Sequence, residues 1–567
     1  MSRHLSKYPL LPQQPIEWLL ALTFIISPLF YSENLGGAGF DLPFNITVWI
    51  AATLVIAYSV WYLCAQEKLI LPANYKGLLA LPIGILLAAA LAGVHDSITW
   101  LFRIVYVMAG VIFLFGLFQF RLKNTDRILL LIAIATLLQS FIGIIQLFQF
   151  PVLQHRIPGS EQAIASGIFQ QVNVMASFLV TGILISFYLC LRPIVHKRFS
   201  LKVFLLITIT VATYVMVATG SRIGLLSGTT GLLMLLSFYR NPIRKNWKTV
   251  VAVLLMIVVA SWLAKEGLHK TLDKSYRVVE AQYSDQRLSI YRISLNTIAE
   301  EPIFGHGIGR FVEKWGEASA SFARDNPNAE LPQYITHPHN ELFLWGIEGG
   351  AVALLGIIIA LLSVTIFIVR AKYNRLWIYL ALLVPISMHT LVELPFYTSS
   401  LHWFVWLFLL FALLNHHCLE KRVVLSSKMR LTIKLALCLF VPLIFLFLFH
   451  SYQSQKGIND FARKKSSDVA LEDGLGNPYF KVKAERLLIN AYLINAIEKD
   501  DDESVLQVLN LLNKHVDMRP EPQLFEALAN GYEFLNLNNE RCLSIKHGLN
   551  MFPANRRLLD LYKKCEV

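Results

Sequence analysis

Apolar runs long enough to cross a bilayer begin near Trp18, Ile46, Gly77, Trp100, Ile128, Val174, Leu201, Ile223, Thr249, Leu342, Leu376, Leu401 and Leu431. A helix needs about 20 such residues to traverse the hydrocarbon, so the pattern predicts about thirteen transmembrane helices. The first run follows a proline-rich start and has no small-residue cleavage site, which predicts a retained helix rather than a signal peptide. Past His450 the pattern changes. After a polar link, segments 483–496, 504–515, 522–535, 541–551 and 556–564 carry apolar residues at three- and four-residue spacing. Amphipathic hairpins of this length resemble short tetratricopeptide-like repeats, a form suited to contacting or bracing other protein. The expectation is an all-α chain: a membrane region over 1–450 with one large polar loop at 265–336, then a soluble helical domain over 451–567.

Charge orients this picture. Lys and Arg fall in alternate loops: Lys68 and Lys76; Arg121, Lys123 and Arg127; Arg192, Lys197, Arg198 and Lys202; Arg240, Arg244, Lys245 and Lys248; Arg370, Lys372 and Arg375; Lys421, Arg422, Lys428 and Arg430. The opposite short loops, such as 32–43 and 93–99, are nearly free of basic residues. By the positive-inside rule the basic side is cytoplasmic, with the N-terminus there and the 265–336 loop and the tail outside the cytoplasm. Composition agrees: 55% hydrophobic and 16% charged residues with a mean hydropathy of +0.52 exclude a soluble multidomain protein. The net charge of +13 is accounted for by these loops, so nucleic acid is not an expected partner. Of six cysteines, Cys542 and Cys565 lie in the tail, where an oxidising compartment permits a disulfide; two buried thiols are the alternative.

Ionisable groups at a membrane boundary are costly and usually have a task. His337-Pro338-His339-Asn340 closes the large loop and opens the run from Leu342. The positive end of the following helix disfavours a charged imidazole at His339, and a neutral one can serve as general base. A metal site from His337 and His339 lacks an obvious third ligand beyond Glu341, so none is expected. Asn173, Ser221 and Asn340 read as helix caps whose dipoles point at one face. Arg222 has the wrong charge for a first helical turn; an anionic ligand explains it, and so does a snorkelling side chain. Arg287 and Arg292 lie at a helix start in the large loop, and the glycine turn 302–309 carries His306. A glycine-rich turn is by itself weak evidence of phosphate binding. His389, Glu393 and His402 are further polar groups in apolar surroundings, either orienting partners or packed pairs.

These residues resemble a known family. Arg287 four residues before Tyr291, Pro302-x-x-Gly305-x-Gly307, and His337-Pro338-His339-Asn340 followed by Glu348-Gly349-Gly350 are similar in order and spacing to the core of the O-antigen ligase and polymerase superfamily. Ser221-Arg222-x-Gly224 resembles its intramembrane arginine motif. Residues 165–176 resemble the signature of protein O-oligosaccharyltransferases of the PglL type, and 389–395 with the helical tail resemble their C-terminal extension. The resemblance implies a glycosyltransferase of a Gram-negative inner membrane. It would act without metal or other cofactor, moving a preassembled oligosaccharide from an undecaprenyl-diphosphate carrier to a periplasmic hydroxyl such as that of a pilin. His339 would be the base, Arg222 and Arg287 would stabilise the diphosphate, and Asn340 would position the base. Arg156 and Gln171 would be weaker donor contacts. His306 departs from the family pattern, where an apolar residue is usual. An O-antigen ligase acting on lipid A-core, a polymerase, or a lipid-glycan transporter are the competing readings.

Overall fold

The computed structural model describes residues 11–122, 124–150, 157–159, 162–196, 198–279, 286–327, 329–371, 374–465 and 467–565. Lys123, Lys197 and Lys372 of the basic loops lie outside them. In chain order the main helices are α1 (Pro15–Leu29), α2 (Pro43–Cys64), α3 (Tyr75–Ala92), α4 (Ser97–Gln119) and α5 (Asp126–Phe148). Then come α6 (Val172–Cys190), α7 (Phe199–Ala218), α8 (Arg222–Phe238), α9 (Trp247–Leu263) and α10 (Lys265–Val279). The large loop adds α11 (Gln286–Glu300) and α12 (Phe311–Asp325). The remaining apolar helices are α13 (Glu341–Ala371), α14 (Asn374–His389), α15 (Ser400–Leu414) and α16 (Ser427–Ala462). The tail forms α17 (Lys481–Glu498), α18 (Asp502–Met518), α19 (Pro522–Phe534), α20 (Asn538–Met551) and α21 (Arg556–Lys563).

A helix stands at every apolar run of the sequence pattern. Among the described residues eight are long and apolar enough to cross a membrane, and α9 makes a ninth when taken with its bent continuation. The chain is therefore a multi-pass membrane protein. Four apolar helices, Pro15–Leu29, Arg222–Phe238, Arg375–His389 and Ser400–Leu414, are shorter. Nearly all of α15 is buried. Protein rather than lipid thus surrounds its backbone, which relaxes the length requirement.

The chain divides into two compact units. The first comprises residues 1–78, 106–276 and 361–456. Its centre is α6, buried from Val174 to Cys190 and packed by α5, α7, α8 and α14. Small residues permit this density: a Cβ on Gly182 would fall 1.9 Å from Thr136 Oγ1 of α5, so only glycine lets these two helices cross so closely. Asn45 ties the starts of α2 and α15 together, donating to Thr398 O (2.9 Å) and accepting from Ser400 N (2.8 Å). The basic loops converge as well. Strands β1 (Lys68–Pro72) and β2 (Cys418–Arg422) pair antiparallel, and Glu420 joins Lys68 (2.9 Å) and Arg121 (2.6 Å).

The second unit comprises residues 79–105, 277–360 and 457–567. The tail helices form successive hairpins around Leu493, Leu509, Leu512, Phe525, Leu528 and Leu558, and Cys542 is disulfide-bonded to Cys565. This tail does not stand apart from the loop. Gly316 of α12 lies against Met551, and the Tyr334 ring packs edge-on to Phe552 at 5.7 Å. Tyr334 also donates to Glu521 (3.2 Å), which is ion-paired with Arg486. Burial first, then the Glu521 charge, raises the Tyr334 pKa and keeps it a donor.

Candidate active site

The histidine turn is built by the start of α13. Asn340 Oδ1 accepts from the amides of Leu342 (2.8 Å) and Phe343 (3.2 Å), satisfying two of the donors a helix start leaves open. His339 has φ 53°, a left-handed conformation that costs a non-glycine residue roughly 1–2 kcal/mol. Its amide donates to His337 Nδ1 at 3.2 Å, which offsets part of that cost and requires an unprotonated Nδ1 on His337. The two rings meet edge to face with centroids 4.5 Å apart. Both are half-buried.

Helix α11 lies against this helix start. The Tyr291 ring packs edge-on to Phe343 (5.1 Å), and Ile298 fills the space beside Gly346. Arg287 lies one turn before Tyr291 on the same flank and is half-buried, whereas Arg292, about 100° further round the helix from Tyr291, is exposed.

The glycine turn is occupied by backbone. Helix α13 breaks at Gly350 (φ 57°, ψ −156°), and residues 302–309 supply the bonds its ladder loses. His306 N donates to Ile347 O (2.8 Å) and Gly307 N to Glu348 O (3.1 Å), while Ala351 N donates to Pro302 O (2.9 Å). These amides close a helix kink and do not form a phosphate cradle. His306 Nε2 lies 2.8 Å from Thr297 O, which ties the turn to α11. On the other side, Ile308 N donates to Gly93 O (3.0 Å) and His95 N to Ile308 O (2.9 Å).

One residue was not anticipated. Arg103 of α4, half-buried, forms an ion pair with the fully buried Glu348 and lies over the Trp345 ring at 6.0 Å. A lone arginine within an apolar run is the signal that could have found it. Nearby, Asp96 caps α4 by accepting from Ile98 N (3.1 Å) and Thr99 N (3.0 Å). Burial opposes its charge, yet the Thr99 bonds and the nearby Arg519 hold its carboxyl below the usual carboxylate range.

The first unit holds a second polar constellation. Ser221 caps α8 by accepting from Gly224 N (3.3 Å) and donates to Asn173 Oδ1 (2.8 Å), with Arg222 half-buried in the first turn. Asn173 is not itself a cap. Helix α6 starts one residue earlier, Gln171 stands at the cap position without a side-chain bond, and Asn173 uses its oxygen on Ser221 instead. The 165–170 segment folds down onto α5, where Gln146 bonds Ser166 N (3.0 Å), Gly167 N (2.8 Å) and Gly167 O (3.0 Å). His402 bridges Ser399 Oγ (2.9 Å), Val174 O (3.1 Å) and Ser177 Oγ (3.3 Å), and Ser177 bonds His389 Nδ1 (2.9 Å). Glu393 is buried in the turn after α14, its amide on His389 O (3.0 Å). Arg156 lies outside the described residues.

Comparison with known families now bears on these residues. Residues 204–358, which hold Arg222, Arg287 and the histidine turn, match the family described as O-antigen ligase. Residues 377–558 match the C-terminal part of a family described as a virulence factor membrane-bound polymerase, and 165–190 match the family described as protein glycosylation ligase. Over these segments the chain is similar to the O-antigen ligase superfamily. No curated protein matches the chain. The matched ligase families indicate glycosyl transfer from a lipid-linked glycan to a protein or lipid acceptor. Within it, the match at 165–190 covers the folded-down segment and all of α6, including Gln171 and Asn173.

Proposed function

We propose that this chain is a protein O-oligosaccharyltransferase. It transfers a preassembled glycan en bloc from undecaprenyl diphosphate to a serine or threonine hydroxyl of an exported protein such as a pilin. The match of 165–190 to protein glycosylation ligases carries the choice of protein over lipid as acceptor. The distribution of basic loops puts the basic face in the cytoplasm. The histidine turn and the 451–567 domain then face the periplasm of a Gram-negative inner membrane.

In the reaction the acceptor oxygen attacks the anomeric carbon, the bond from that carbon to the phosphate oxygen breaks, and the diphosphate leaves with the electron pair. His339 takes the hydroxyl proton; Asn340 holds it at the helix mouth through the cap, and His337 fixes its backbone. Arg287, on the flank of α11 that meets α13, offsets the charge gathering on the diphosphate. Arg222 takes the same role by resemblance. Ser221, Asn173, Gln171, Arg156, Arg292, His306 and Glu393 are the remaining substrate-contact candidates. Direct attack inverts the anomeric configuration.

The matches to O-antigen ligase and polymerase families favour a second reading, transfer to lipid A-core or to another glycan. Reconstitution of the purified chain with lipid-linked glycan and a chelator, offered either a pilin or lipopolysaccharide core, separates the two. Modification of the pilin supports protein transfer, and modification of the core alone overturns it.

A further inference from the structure

The chain leaves α9 with an unusual turn. Helix α10 departs at 73° to α9, with only Ala264 between them. Helix α9 carries an exposed apolar stripe of Val251, Leu255, Val258 and Trp262, the three- and four-residue spacing of a face turned to lipid. Exposed apolar residues go on past the bend: Leu263, Leu268 and Leu272, the last 56% exposed. On the helical wheel Glu266, Lys270 and Asp273 lie opposite Leu268 and Leu272, so α10 is amphipathic.

A different edge of α10 is fixed to protein. Gly267 and Thr271 are buried, and a Cβ on Gly267 would fall 2.2 Å from Val217 O and 2.7 Å from Ala218 Cα. Gly220, in the turn that leads to Ser221 and Arg222, faces Gly267 O at 3.6 Å from its notional Cβ. The helix therefore has one edge on the α7–α8 turn, one face of leucines, and one face of charges.

We propose that α10 lies in the plane of the membrane surface, with Leu268 and Leu272 seated at the boundary of headgroups and acyl chains. The occupant of the leucine face is bilayer lipid, because α10 follows by one residue the end of an apolar helix whose exposed face ends in Trp262 and Leu263, which leaves α10 at the bilayer boundary. Through Gly267 this seating sets the depth of the turn that begins α8, and so the depth at which Arg222 meets an anionic lipid headgroup. The depth-setting role rests on the proposed transfer reaction; the seating does not.

The test places a nitroxide at Leu272→Cys in full-length protein whose free cysteines, Cys64, Cys190, Cys418 and Cys438, are changed to Ala, reconstituted in phosphatidylethanolamine and phosphatidylglycerol bilayers. Oxygen should broaden the signal more than a water-soluble nickel chelate. Greater access to the chelate, or protection from both as under a protein partner, overturns the seating. In the otherwise native chain, Leu268→Glu with Leu272→Glu should raise the KM for lipid-linked donor about tenfold while kcat stays within about twofold. An unchanged KM overturns the depth-setting role. Loss of lipid transfer in the parent protein itself would instead count against the proposed reaction and leave the nitroxide result standing.

Discussion

Gly305 and Gly350 occupy each other's side-chain space: a Cβ on either would stand 2.6 Å from the other's backbone nitrogen. Both also have positive φ, 78° and 57°. Kink and turn are thus one structure. Gly350→Ala should cost about 1–3 kcal/mol in strain alone and more where the contact cannot relax. A lowered thermal-unfolding midpoint in detergent, read by loss of monodisperse protein, checks this; an unchanged midpoint would show that the kink tolerates a side chain.

Glu348 is fully buried and its partner Arg103 half-buried, so removing Arg103 leaves the Glu348 carboxylate uncompensated away from water. Arg103→Ala alone should destabilise by about 3–5 kcal/mol, and the double change Arg103→Ala with Glu348→Ala by less than the sum of the singles. Thermal denaturation of all three variants gives the coupling directly. Additive losses would mean that the pair contributes nothing as a pair.

His339→Ala should lower kcat by roughly 10²–10⁴-fold with donor KM little changed, the range for loss of a general base. His337→Ala should cost less, because it removes the bond to the His339 amide and leaves the base. Single-turnover rates on membrane-inserted protein distinguish them. Near-normal turnover by His339→Ala would end the base assignment.

Tyr334→Phe keeps the ring on Phe552 and loses only the bond to Glu521, so a cost of about 1 kcal/mol is expected. Tyr334→Ala also empties a place in the tail-domain core, for about 3–5 kcal/mol. Limited proteolysis of the tail domain ranks the two. Equal protection would show that the ring does not anchor the loop.

His515 of α18 gives a pH signature. Burial first, then the nearby Arg486, lowers its pKa below the ordinary value of about 6.5. In the window between the two values the unfolded chain binds a proton that the folded chain does not. The stability this group contributes is present above about pH 6.5 and is lost as pH falls through the folded value. His515→Gln should flatten that part of the profile of tail-domain protection against protease, and an unaltered profile would assign the dependence elsewhere.

How much was legible follows from range. Apolar runs and their periods are local, so every apolar helix and all five tail helices were readable from the chain. The caps at Ser221 and Asn340 were readable for the same reason, since a cap is satisfied within three residues. Asn173 was misread because its oxygen is taken by Ser221, 48 positions away. The use made of the 302–309 amides was equally hidden, since their partners at Ile347 and Glu348 lie some 40 residues on.

The sequence by itself determined that this is a many-helix membrane chain with a polar loop, a helical tail and a histidine turn in an order shared with glycan ligases. Hydrophobicity, spacing and motif order are properties of the chain alone. Only the tertiary structure decided that the amides of residues 306 and 307 close the kink of α13, that Arg103 is paired with Glu348, and that the tail holds the loop through Tyr334. Each of these depends on which surfaces meet, and burial and pairing are set by the partner a residue meets rather than by the residue itself.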